Sequence, residues 1–145
     1  MDIKIEKMKL SDLETIKDIL TTDFDDFWNY NIFKEELQNE NSHYIVAKQN
    51  NEIVGFAGIK VVLAEADIMN IVTRKNFRKQ GIGNILLENL LKLAKTLNVS
   101  TLFLEVNNQN LPAISLYKNF GFQIIGTRKN YYNKNDGIVM NKQIN

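Results

Sequence analysis

Arg78-Lys79-Gln80-Gly81-Ile82-Gly83 stands between an apolar run, Asp67-Ile68-Met69-Asn70-Ile71-Val72-Thr73, and a helical run from Asn84 to Leu97. Two glycines two apart leave the backbone without side-chain cover, so consecutive N–H groups can point at an anion, and the helix that follows adds its partial positive N-terminus. That combination suits a pyrophosphate. The spacing excludes two familiar relatives: a dinucleotide fingerprint needs three glycines as G-x-G-x-x-G, and a P-loop needs G-x-x-x-x-G-K followed by Ser or Thr. What remains is R-x-x-G-x-G, led by Arg78. On these six residues alone, a ligand-free glycine turn between strand and helix reads equally well.

The rest of the chain sets bounds on what that loop serves. A length of 145 residues predicts one domain, 1–145, large enough to bury a core without staples. With no cysteine there is no disulfide framework, no thiolate nucleophile and no Cys-based metal site, which fits a reducing, cytoplasmic setting. Lys plus Arg (18) nearly balances Asp plus Glu (17), so the charge offers none of the attraction that a nucleic-acid binder relies on. No apolar run approaches a signal sequence or a membrane span, so a soluble protein is expected.

Working outward, Asp2 to Met8 alternates charged and apolar residues as an antiparallel strand does. Ser11-Asp12-Leu13-Glu14 reads as a capping box opening a helix that ends near Thr21, with Leu13, Ile16 and Leu20 as its buried stripe. Asp23-Phe24-Asp25-Asp26-Phe27-Trp28-Asn29-Tyr30 interleaves acids with aromatics, and a short helical pattern from Ile32 to Leu37 follows. The aromatics either staple these helices to a sheet or form a substrate wall, and the acids either face solvent or receive a cationic acceptor. His43 to Lys48, Glu52 to Val62 and Glu65 to Thr73 form a three-strand meander whose first turn is Asn50-Asn51, a pair suited to positive φ. His43 is the only histidine and reads as structural. In the helix after Gly83, Leu86, Leu90, Leu93, Ala94 and Leu97 face the sheet.

Thr101 to Val106 is nearly all apolar after a crossover helix, which predicts a parallel strand buried on both faces. Glu105 within it is set to lose solvation, which raises a carboxyl's pKa and suits it to accept a proton near neutral pH. A strand-end Glu reaching water or a lysine is the competing reading. Asn110 is placed to cap a helix beginning at Leu111-Pro112, and Gly121 to close it at positive φ. Phe122 to Arg128 and Asn130 to Tyr132 supply another strand, and Asp136-Gly137 reads as the turn before a last strand, Ile138 to Met140.

Taken together, R-K-Q-G-I-G opening a helix, L-F-L-E-V-N-N-Q-N, A-I-S-L-Y-K-N-F-G-F and R-K-N-Y-Y resemble the GCN5-related N-acetyltransferases, and among them the bacterial ribosomal-protein alanine N-acetyltransferases. The resemblance covers nearly the whole chain. It implies an α/β fold: a mixed, mostly antiparallel twisted sheet with helices on both faces, splayed where the cofactor enters. It also implies acetyl-CoA as co-substrate, no metal, and a protein or peptide N-terminus as acceptor, ribosomal protein S18 in particular, for a monomeric enzyme.

Residue by residue, the resemblance implies that the backbone of Ile71, Val72 and Thr73 pairs with the pantetheine arm. Arg78, Lys79, Gln80, Gly81, Ile82, Gly83 and Asn84 would surround the pyrophosphate, and Asn110 the pantetheine region. Glu105 corresponds to the general base, Tyr117 to the general acid, and Trp28, Tyr131 and Tyr132 to the border of the substrate. The chain differs from the family in having Phe27-Trp28 where Pro-Trp is usual, Asn84 where Arg is common, and a shortened stretch between Tyr132 and Ile138. The chemistry asks for little more: a group that takes a proton from the incoming ammonium, another that protonates the departing thiolate, and a backbone N–H near a strand bulge to polarise the carbonyl. Other readings are an acetyltransferase of small-molecule amines, or an acyl-CoA-binding protein without turnover.

Overall fold

A computed structural model describes residues 2–25, 28–132 and 134–144. Seven strands form one sheet in the order β1-β2-β3-β4-β5-β7-β6, with β1 Lys4–Lys7, β2 Ser42–Gln49, β3 Glu52–Val62, β4 Glu65–Thr73, β5 Thr101–Asn107, β6 Gln123–Tyr132 and β7 Asn135–Gln143. Every pairing is antiparallel except β4 with β5, which is parallel and lasts only from Glu65↔Thr101 to Asp67↔Phe103. From Ile68 onward no strand among the described residues pairs with that side of β4, and the sheet splits there. The twisted, mostly antiparallel sheet with helices on both faces is thus as expected.

Helices α1 (Leu10–Ile16) and α2 (Tyr30–Gln38) cover one face, packing Leu13, Ile16, Leu20, Phe24 and Phe33 against Tyr44, Val46, Phe56 and Val72. Helices α3 (Ile82–Thr96) and α4 (Leu111–Asn119) cover the other. Leu86, Leu87, Leu90 and Ala94 of α3 are fully buried. At roughly 1.5–3 kcal/mol for each large side chain removed from water, that stripe anchors the helix whose N-terminus carries the glycine loop. No helix among the described residues is long and apolar enough to cross a membrane.

The turn residues behave as their chemistry dictates. Asn50 and Asn51 have φ of 53° and 65°, Asn110 Oδ1 accepts from the Ala113 N–H at 3.3 Å, and Gly121 has φ of 91°. Four expectations are corrected. Lys9, not Ser11, precedes the first helical residue, and Asp12, not Glu14, reaches back to the Lys9 N–H at 2.8 Å. Asp12 is buried and paired at 3.1 Å with Lys48 of β2, a tertiary contact that accompanies a helix start two residues earlier. The α-helical part ends at Ile16, and the chain continues through a 3-10 turn (Lys17–Ile19) and a π turn (Leu20–Phe24). β5 buries Thr101, Leu102, Leu104 and Val106, while Phe103, Glu105 and Asn107 are half-buried on the split face. Asp136 and Gly137 lie inside β7, not in a turn. Asp26 and Phe27 lie outside the described residues.

Candidate active site

The split between β4 and β5 opens on a cleft of about 560 Å³ beside the N-termini of α3 and α4. Ile71, Val72 and Thr73 form one wall, their strand edge facing the gap, and Arg78, Lys79, Gly81, Ile82, Gly83 and Asn84 curve beneath it. Asn110, Leu116 and Tyr117 of the α4 region form the opposite wall. Ten of the eleven residues anticipated around a cofactor thus border one cavity. Gln80 is not among the residues that line it.

Gly81 adopts φ of 83° as the residue before α3, a left-handed conformation that a side chain would strain. No side chain caps the first turn of α3, so the N–H groups at its start remain available to an anion in the cleft. A Cβ at Gly83 would meet only Leu116 at 3.7 Å, and both residues line the cleft. These features fit an anion such as a pyrophosphate at the start of α3. Arg78 is partly committed to the protein, with Nε 3.4 Å from the Thr73 carbonyl and Nη2 3.5 Å from the Phe24 carbonyl, tying the loop to the π turn.

Tyr117 is partly covered, its ring 5.8 Å from that of Phe122, and burial pushes its hydroxyl up to about 12. It is therefore protonated throughout the neutral range and able to give a proton. Glu105 stands on the α1/α2 face of β5, because Phe103 is in register with Asp67 of β4 and alternate residues share a face. Arg128 Nη1 of β6 lies 3.1 Å from Glu105 Oε1, while Oε2 is buried with no hydrogen-bond partner. The carboxylate thus has a cationic neighbour that desolvation in an apolar strand would not have supplied. A Cβ at Gly137 would fall 2.5 Å from Oε2, so the absence of a side chain there is what seats the carboxylate.

Tyr131 and Tyr132 meet edge to face at 5.0 Å, the Arg128 guanidinium lies 4.3 Å over the Tyr131 ring, and Tyr132 Oη is 3.5 Å from the Glu105 carbonyl. Trp28 stands 5.6 Å from the Phe33 ring and 6.3 Å from that of Tyr44. It staples the segment before α2 to the sheet on the same face as Glu105. Asp23 pairs with Arg74 at 3.2 Å, and Asp25 lines the cleft on the loop side. His43 borders a separate groove beside α3 and takes no part in this site.

No local pattern gives Arg128 its role, and Gly137 reads locally as a turn residue. Arg128 lies in the motif R-K-N-Y-Y, yet its link to Glu105 spans 23 residues of chain and becomes visible only when β7 lies between their strands. The bulge anticipated near the transfer point lies at Met69, where the register passes from Gly58↔Asn70 to Ile59↔Ile68.

Residues 13–122 match the profile of the Acetyltransferase (GNAT) family. A Bacillus subtilis protein provisionally assigned as a [ribosomal protein bS18]-alanine N-acetyltransferase is 35% identical over 144 residues, covering 97% of this chain and 95% of that protein. The Escherichia coli (strain K12) [ribosomal protein bS18]-alanine N-acetyltransferase is 42% identical over 89 residues, 61% of this chain and 60% of that one. The crystal structure of the ribosomal-protein-S18-alanine N-acetyltransferase from Escherichia coli superposes with a TM-score of 0.89 at 32% identity, covering 99% of this chain and 94% of that chain.

Proposed function

Since the chain belongs to the GNAT acetyltransferase family, we propose that it moves the acetyl group of acetyl-CoA onto the N-terminal amine of a protein, with the N-terminal alanine of ribosomal protein S18 as acceptor. The observation that carries this is the placement of Glu105 on the β5 strand that borders the split and of Tyr117 in the cleft that opens there, with the uncapped α3 N-terminus at one end of that cleft. Bound acetyl-CoA supplies the acetyl group as a thioester. The exposed edge of β4 and the loop from Arg78 to Asn84 are the groups available to hold it.

Glu105 takes a proton from the acceptor ammonium, leaving a neutral amine that can attack the carbonyl carbon. Tyr117 gives its proton to the sulfur that leaves, so the C–N bond forms as the C–S bond breaks and no charge is stranded. Backbone N–H groups at the β4 bulge are suited to face the developing oxyanion. Tyr131, Tyr132 and Trp28 border the face on which Glu105 stands and are assigned to the acceptor's first residues. The acceptor follows from the likeness to the bS18-alanine enzymes, together with this open face.

The reading is tested by mass spectrometry of acetyl transfer onto a panel of peptide N-termini, including that of S18, with polyamines and aminoglycosides as competitors. Peptides beginning with Ala or Ser should be the best acceptors, and a polyamine or aminoglycoside acetylated faster than any peptide would reject it. Glu105→Gln should lower turnover by about 10²–10⁴ while calorimetric affinity for acetyl-CoA is retained.

A further inference from the structure

Three strands place Tyr44, Gly58 and Asn70 in one row across the α1/α2 face of the sheet, Tyr44 opposite Gly58 and Gly58 opposite Asn70. The Tyr44 ring lies across the bare Gly58 backbone, in the volume that a Cβ there would fill. It reaches toward β4, backed by Phe33 at 5.3 Å. Tyr44 is 4% exposed, yet its hydroxyl has no hydrogen-bond partner, and neither has the buried Oδ1 of Asn70. Burial pushes the Tyr44 phenol well up, so the hydroxyl stays neutral and can either give or accept a hydrogen bond.

Asn70 follows the β4 bulge and lies beyond Asp67, where β5 has already parted from β4. Glu105 stands across that gap on the same face, its unpaired Oε2 turned toward Gly137 of β7. Buried polar atoms without partners are uncommon, because each costs the hydrogen bonds it had in water. Tyr44 and Asn70, in one row with Gly58 between them at the edge of the gap, call for a shared ligand. A carboxylate oxygen and an amide oxygen are acceptors only, so the ligand must be a donor, and a protonated amine brings three N–H groups.

We propose that Asn70 holds the acceptor's ammonium for transfer: its Oδ1 takes one N–H, Tyr44, laid across Gly58, walls the pocket and offers its hydroxyl to a second, and Glu105, across the gap, removes the proton of the third. In the transfer itself an N–H bond breaks and an O–H bond forms on Glu105. Asn70 and Tyr44 keep their protons. This rests on Glu105 as the proton acceptor in the reaction proposed above.

Asn70→Ala, Asn70→Asp and Tyr44→Phe test it, each measured on the best acceptor of the parent enzyme. Losing a hydrogen bond to a charged group should raise the acceptor KM about tenfold or more in Asn70→Ala, with acetyl-CoA affinity by calorimetry within about twofold of the parent. Asn70→Asp keeps an acceptor oxygen and should bring KM back to within about threefold of the parent. Tyr44→Phe should raise KM without lowering Tm, because the deleted hydroxyl has no partner in the free protein.

The proposal is overturned if Asn70→Ala keeps the parental acceptor KM, if its acetyl-CoA affinity falls in step with KM, or if Asn70→Asp is no better than Asn70→Ala. A bound water satisfying these oxygens would give the first of those results. Should Asn70→Ala not fold, Tyr44→Phe decides, an unchanged KM counting against the pocket. If the parent acetylates only non-peptide amines, the peptide reading fails, and the same KM comparison on that amine still decides the role of Asn70.

Discussion

Arg128 Nη1 and Glu105 Oε1 lie 3.1 Å apart, so a carboxylate at the split is held by a cation two strands away, with β7 between them. The Arg128 guanidinium also stacks over Tyr131, which joins the base to the wall assigned to the acceptor. Arg128→Gln removes both contacts and should lower kcat/KM about tenfold, while Arg128→Lys keeps the charge without the planar fork and should lose less. The Arg128 side chain is 59% exposed, and so open a pair contributes only about 0–1 kcal/mol, so Tm should barely move. Steady-state kinetics beside thermal melts check this, and parental kinetics in Arg128→Gln would dissolve the link between the two residues.

The loop glycines separate binding from folding. Gly83 lies within α3, and a side chain there would meet only Leu116, at ordinary contact distance. Valine is no worse than glycine in a helix, so Gly83→Val should leave Tm unchanged or slightly higher. Its branched side chain would project over the cleft, and acetyl-CoA should bind about tenfold more weakly. Calorimetry on the folded variant reads this directly. Gly81 is the poorer choice for the test, since its φ of 83° makes any side chain strain the backbone as well.

Local chemistry carried most of the fold. Glu52–Val62 and Glu65–Thr73 are legible to the residue, because period, turn residues and strand-forming side chains agree there. Asn110 and Gly121 are equally plain, since a cap and a left-handed turn are decided by one residue and its nearest neighbours. The errors share a different cause. Ser11 and Glu14 form a correct capping pattern that Asp12 overrides by pairing with Lys48, 36 residues away in sequence. Gly137 looks like a turn glycine, and its actual constraint is a side chain on another strand. In the site, the cleft lining came from contiguous motifs, whereas Arg128, Asn70 and Tyr44 matter only through register across strands.

Alkaline stability offers a check that needs no substrate. Tyr117 has its value raised from 10.0 to about 12, chiefly by burial. Below pH 10 the folded and unfolded chains both hold this proton, so the residue adds no pH dependence. Between pH 10 and 12 the unfolded chain releases a proton that the folded chain keeps, and stability falls as pH rises. Tyr117→Phe has no proton to release there. Urea unfolding at about pH 9 and pH 11 should therefore show a smaller loss of stability for Tyr117→Phe than for the parent, and equal losses would place the Tyr117 hydroxyl in water.

Gly137 gives the most direct handle on Glu105. It lies inside β7, opposite Asn107 of β5 and Arg128 of β6, and a Cβ there would fall 2.5 Å from Glu105 Oε2 and 3.2 Å from its Cδ. The group that must yield is the end of a flexible side chain and not backbone, so Gly137→Val should fold. Valine also suits a strand better than glycine, so Tm should hold or rise. The displaced carboxylate would lose its seat beside Arg128, and kcat should fall about tenfold or more with acetyl-CoA affinity kept. The decisive comparison is the double variant Gly137→Val with Glu105→Gln. If Gly137 acts only by seating the carboxylate, removing that carboxylate first leaves nothing further to lose, and the double variant should be no slower than Glu105→Gln alone. Additive losses would mean that valine disturbs the acceptor face by another route.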